Sequence, residues 1–213
     1  MRLRMARLAY SDTMKRLVLP ALLVSLSLPA YKIPTEDQTI LVNHLQKTAK
    51  ELHEAVKGLS AAQFQFKAGP DRWSVAECLE HITISEGFLR EIATGKTMKL
   101  PATPEGIAER RKNDRKILAA ITDRTRKGRA PEPLKPLNKF ATPKATLDAF
   151  DKARKETIAF VKTTNADLRA HASPHWAVKE ADAYQWLLYL SGHSERHTKQ
   201  ILEVKADPNF PKQ

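Results

Sequence analysis

The chain has 213 residues, 42% of them hydrophobic and 28% charged, which fits one soluble globular domain with room for a sizeable core. Lys and Arg number 36 against 24 Asp and Glu, a net charge of +12 that favours anionic partners in general. The basic residues are dispersed along solvent faces without an RNA- or DNA-binding signature, so no nucleic-acid partner is expected; the lone Cys78 excludes a disulfide framework and any CxxC site.

Residues 1–30 stand apart from the fold. From Met14, the basic pair Lys15 and Arg16 precedes an apolar run from Leu17 to Leu28, and small residues follow around Ala30. This is the layout of a secretory signal peptide, although Pro20 and Leu28 are atypical, and the run is too short to span a bilayer comfortably. Residues 1–13 read as an upstream extension and residues 31–213 as the mature domain. Export to a periplasmic or extracellular space is the expectation. The alternative is a cytoplasmic chain whose N-terminal stretch is a buried or membrane-anchoring helix. No further apolar run reaches transmembrane length, so the mature chain should carry no transmembrane segment.

Four helical segments follow. The first runs from about Thr35 to Lys57, with Thr35 as N-cap, Glu36 and Asp37 in the first turn and Gly58 after the end. Its apolar face is Ile40, Leu41, Leu45, Ala49, Leu52, Val56 and Leu59. The second opens on the capping box Ser74-Val75-Ala76-Glu77, buries a stripe including Cys78, Leu79, Ile82, Leu89 and Ile92, and ends at Gly95.

Between Lys96 and Ala141 the chain changes character. Ile107, Ile117, Leu118 and Ile121 permit a short amphipathic helix, and the Lys/Arg-rich stretch from Arg110 to Arg129 reads as a solvated face. The segment after it, rich in proline, reads as an extended crossover on the surface. The third long helix opens on Thr142-Pro143, an N-cap followed by proline at the first helical position. The fourth runs from the N-cap Asp182 to about Lys205. No segment shows the period-two alternation of a strand. The expected fold is all-α: a four-helix bundle with a long crossover between the second and third helices.

His193 and His197 lie one turn apart on the fourth helix and share a face. Two imidazoles aimed at one point, joined by His81 from the second helix, would make a metal site with open coordination positions, the pattern of a catalytic centre. The segment is not an HExxH zincin motif, because Ser194 follows the first histidine and Glu195 lies about 200° round the helix from it. Glu195 and Arg196 therefore read as surface or supporting residues. Tyr189, one turn before His193, and Glu77, one turn before His81, are candidates to support the ligands. A packed aromatic and a capping residue are their ordinary alternatives. His44 and His53 have no evident partner, and His175 is near enough to the last helix to line the mouth of a site.

The segments GLSAAQFQFKAGPDRWSVAECLEHI and YQWLLYLSGHSERHTKQI resemble the DinB-like superfamily of metal-binding four-helix bundles, most closely at W-S-x-x-E-x-x-x-H and H-x-x-R-H-x-x-Q-I. The resemblance runs from about Thr35 to Lys205. It implies a divalent metal, zinc or nickel, held by His81, His193 and His197, with activation of a thiol or water. It also implies a small-molecule substrate, with a low-molecular-weight thiol as cosubstrate if the reaction is thiol-dependent S-transfer. Metal-dependent hydrolysis and an exported non-catalytic metal- or anion-binding module stay open, as does a homodimer.

Overall fold

A computed structural model describes residues 33–212. The signal-peptide expectation for residues 14–30 lies outside them. In chain order the elements are α1 (Thr35–Val56), the short α2 (Ala61–Gln65), α3 (Val75–Glu91), α4 (Ile107–Arg111), α5 (Asp114–Thr122), α6 (Pro143–Thr163), β1 (Ala172–His175), β2 (Val178–Asp182) and α7 (Ala183–Lys205). The four long helices α1, α3, α6 and α7 form the expected bundle, in which α7 packs on both α1 and α3, and α6 packs on both as well.

The side-chain pairings give the helix directions. His44 meets Ser191, and Lys205 reaches the Ala55 carbonyl, so α1 and α7 run parallel. Thr83 reaches the Thr146 carbonyl and Arg90 pairs with Glu156, so α3 and α6 also run parallel. By contrast, Leu79 and Ile82 share one apolar cluster with Ile201 and Val204, while Leu89 shares another with Trp186 and Leu187; α3 and α7 are antiparallel. Parallel α3 and α6 explain the crossover: the chain must travel back the length of the bundle before α6 begins.

The caps are local and follow the sequence. Ser74 accepts from the Glu77 N–H while the Glu77 carboxylate accepts from the Ser74 N–H, and Asp182 and Gln185 make the same exchange at α7. Thr142 caps α6 ahead of Pro143. Gly58 takes φ +71° just past α1, a conformation that suits glycine.

Several expectations are corrected. Thr35 is the first residue inside α1, preceded by Pro34 without a side-chain cap, and Ile40 is half exposed. Gly95 does not end the second helix, which continues through a π-turn at Ile92–Lys96 and a 3₁₀ turn at Thr97–Lys99. An antiparallel hairpin, β1 with β2, precedes α7. It carries Pro174 and a register irregularity after it, so simple alternation is missing from its sequence.

The basic residues are also less dispersed than expected. Arg154 is buried inside the bundle, bonded through two nitrogens to both oxygens of Glu86 and also to Thr48, Ser194 and the Leu45 carbonyl. Arg169 lies buried over the Tyr184 ring and pairs with Asp37, Asp114 and Asp182, tying α1, α5 and the start of α7 together. Arg110, expected on a solvated face, is buried and donates to the carbonyls of Thr103 and Arg169. No helix among the described residues is long and apolar enough to cross a membrane.

Candidate metal centre

His81 sits midway along α3, and His193 and His197 sit one turn apart on α7. The contact between these antiparallel helices brings the three together: one ligand nitrogen from each lies within 4.8 Å of the others, and all three residues are buried. His81 Nε2 is 3.1 Å from His193 Nε2. Trp73, from the turn before α3, covers the group, its ring centroid 4.8 Å from that of His81 and 6.0 Å from that of His197.

Two of the imidazoles have their tautomer set by a partner on the far side of the ring. His81 Nδ1–H donates to the Leu134 carbonyl at 2.6 Å, which leaves the Nε2 lone pair pointing inward. His197 Nδ1–H donates to Gln200 Oε1 at 2.8 Å. Arg124 donates to the same oxygen at 3.3 Å. A guanidinium can only donate, so it fixes which end of the Gln200 amide faces His197 and thereby fixes the histidine tautomer.

Burial holds all three imidazoles below the ordinary histidine range. For His193 and His197 the shift is large, and their neighbouring imidazoles push the same way. For His81 it outweighs the opposing pull of the Leu134 bond. Neutral rings with convergent lone pairs are a donor set that fits a divalent cation and leaves further coordination positions for water or substrate. Among the described residues no other His, Cys, Asp and Glu group converges in this way.

The crossover is the front wall of the site rather than a loose surface strap. Together with α3 and α7 it encloses a cavity of about 970 Å³ that all three histidines line. Glu80, the neighbour of His81, grips it: the carboxylate accepts the backbone N–H groups of Leu137, Asn138 and Lys139 at 2.9–3.1 Å, with Asn138 at φ 56°. Arg196 holds the other part, donating to the main-chain oxygens of Ile121, Asp123 and Arg126. Glu80, Gln200 and Arg124 escape a reading based on spacing, although Gln200 stands in the H-x-x-R-H-x-x-Q segment.

Of the other residues singled out by sequence, Tyr189 lines the cavity with its ring 6.3 Å from that of His193. Glu77 also lines it, but its carboxylate is engaged by the Ser74 N–H and Lys67. His44 and His53 do have partners, Ser191 and Asp151. His175 is buried against Trp186 and Tyr189, whereas its neighbour Trp176 lines the cavity. Cys78 is a core residue whose thiol is pushed up by burial.

Fold and site together define a helical bundle built around a three-histidine centre of metal-binding type. The profile of the DinB superfamily matches residues 44–201, and the chain belongs to that superfamily. It is similar to the uncharacterized protein YuaE of Bacillus subtilis (strain 168), 23% identical over 155 residues that cover 73% of this chain and 91% of YuaE. Its fold matches that of Bacillus subtilis YfiT, described as a probable metal-dependent hydrolase with an unusual four-helix bundle topology. That match has a TM-score of 0.51 at 16% identity, over 86% of this chain and 94% of the other.

Proposed function

We propose that this chain is a metal-dependent enzyme in which His81, His193 and His197 hold one divalent cation, zinc or nickel, and a small substrate reaches it through the crossover cavity. The observation that carries this reading is the convergence of three buried ring nitrogens on the wall of a large cavity. A cation bound there supplies Lewis acidity, lowering the pKa of a water or thiol and polarising an electrophile. The chain's own residues do the rest. Leu134 and Gln200 hold two imidazoles in the ligating tautomer, burial keeps the rings unprotonated, and Trp73 with the crossover limits bulk water. Tyr189 lines the same cavity, and its hydroxyl, which accepts the Trp176 indole N–H, keeps its own proton to donate to a substrate oxygen.

The nucleophile is water or a low-molecular-weight thiol. The description of YfiT as a probable hydrolase supports water, and the family resemblance also admits S-transfer to a small electrophile. Export is part of the proposal, resting on the Met14–Ala30 pattern, and fractionation of the native host tests it.

The deciding experiment pairs elemental analysis of the purified protein with turnover assays, one for thiol consumption by a generic electrophile and one for aryl-ester hydrolysis, each with and without chelator. Stoichiometric metal and chelator-sensitive turnover in either assay support the enzyme. Full metal content without turnover in both would reassign the chain as a binding module, and absence of metal would sink the centre itself.

A further inference from the structure

The cavity over the histidines has an aromatic end. Because α3 and α7 are antiparallel, residues that follow His81 and residues that precede His193 come together, and Phe88, Ile92, Trp186 and Tyr189 line the cavity there. The rings of Trp186 and Tyr189 meet edge to face at 5.7 Å. Trp176, from the turn between β1 and β2, extends this wall. Its centroid is 6.4 Å from that of Tyr189, and its indole N–H donates to the Tyr189 hydroxyl at 3.4 Å. Trp176 is nonetheless 56% exposed, a large apolar surface that the rest of the chain leaves uncovered.

Beside that wall the lining is cationic. The segment after α5 brings Arg126, Lys127 and Arg129 to the cavity, and Arg196 fixes the segment by its main-chain oxygens. Among the described residues, the Arg126 guanidinium meets the Trp176 ring at 5.8 Å, and Lys127 and Arg129 have no carboxylate partner. The acidic lining does not offset these charges. Both oxygens of Glu203 are bonded to Arg124, and Glu77 is held by Lys67 and its capping role. Asp71 belongs to the opposite end, just before Trp73 and the start of α3. Cations without an ion-pair partner at the rim of a cavity walled by apolar rings focus a positive potential into it.

We infer that the cavity admits a small organic anion bearing a flat apolar group. The anionic group is held by Arg126, Lys127 and Arg129, and the apolar group lies against Trp176, Tyr189 and Trp186. This rests on reading the cavity as the substrate site of the histidine centre, and it names the chemical class of that substrate. A planar group stacks on indole and phenol rings, while a carboxylate or phosphate finds cations that no carboxylate of the described residues pairs with.

The test is calorimetric titration of the full chain with four matched probes: 2-naphthoate, 2-naphthyl phosphate, neutral 2-naphthamide and 2-naphthylmethylammonium. Both anions should bind about tenfold more tightly than the amide, the sum expected of three partly solvated charge contacts, and the ammonium more weakly still. Which anion binds tighter distinguishes a carboxylate from a phosphate headgroup. In R126Q/K127Q/R129Q the anion preference should vanish while amide affinity and metal content stay unchanged. Trp176→Ala should weaken all the naphthyl probes together and leave the charge preference in place. Equal affinity for naphthoate and naphthamide, or a preference that survives the triple substitution, would overturn the inference. Metal content is measured on the same samples, and the titration is repeated in His193→Ala. An anion preference with no metal would count against the metal reading and for this one.

Discussion

His81 Nε2 and His193 Nε2 face each other at 3.1 Å across the contact between α3 and α7. His81 already donates through its other nitrogen, so the inner lone pair has no proton of its own to offer. His193 Nε2–H is free to serve as the donor of this contact, and a cation held between the rings takes the place of that proton. Excess zinc or nickel should therefore raise the melting temperature of the wild-type chain, by the equivalent of about 2.7 kcal/mol at a hundred times Kd. His193→Ala should lose both the bound metal and that rise; retention of stoichiometric metal by the variant would refute the ligand assignment.

Glu80 touches no ligand, yet its carboxylate receives three backbone N–H groups from the segment that follows Leu134. Glu80→Gln places an amide N–H against at least one of those donors. It should cost about 2 kcal/mol of stability. It should also weaken metal affinity about tenfold by loosening the Leu134 carbonyl behind His81. Metal competition titrations separate the two effects.

The buried pair of Arg154 and Glu86 holds α6 to α3 and, through Ser194, to α7. Arg154→Met strands the Glu86 carboxylate in the bundle interior and should destabilise by about 3–5 kcal/mol. Adding Glu86→Gln should recover part of that loss. A double variant as unstable as the sum of the singles would show that the two do not act as a pair.

Gly192 precedes the first α7 histidine, and a Cβ there would come within 2.6 Å of the Ile121 Cγ2 and 3.1 Å of the Leu118 Cδ2 on α5. Both belong to apolar side chains pressed against α7. Gly192→Ala should lose about 1–3 kcal/mol despite alanine's better helix propensity. Urea denaturation gives the sign directly.

Burial lowers the His175 pKa to about 4, and its Nδ1 accepts the Ala177 N–H, which requires a neutral ring. The unfolded chain takes up this proton near pH 6.5 and the folded chain does so only near 4. The associated stability is complete above pH 6.5 and is lost progressively down to about pH 4. His175→Phe should shrink the difference in urea midpoint between pH 7 and pH 4.5. An unchanged difference would assign the acid sensitivity to the other buried histidines.

What the sequence discloses is local. The Ser74, Thr142 and Asp182 caps depend on residues three apart, and the shared face of His193 and His197 depends on residues four apart, so both are legible without the fold. The buried ion pairs are not. Glu86 and Arg154 are 68 positions apart, and each alone looks like a charge on a solvated helix face. The same distance hides the crossover's role. Nothing in its prolines and cations announces that Leu134 orients His81 or that Arg124 orients Gln200. The hairpin at 172–182 escapes because its strands are short and one contains proline, so pairing rather than alternation defines it.

The parallel course of α3 and α6 divides the site between two kinds of chain. The three imidazole nitrogens ride on helices, whose spacing the α3–α7 contact sets. A large part of the cavity wall, from Arg124 to Leu137, belongs to a return run that the topology makes unavoidable. Even the bond that steadies His81 uses a main-chain oxygen, indifferent to the side chain at position 134. Side chains from Thr125 to Pro133 can therefore be exchanged while Arg124 keeps its hold on Gln200 and the Leu134 carbonyl its hold on His81. On the proposed function, a single frame is re-tooled for new substrates by rewriting one strap.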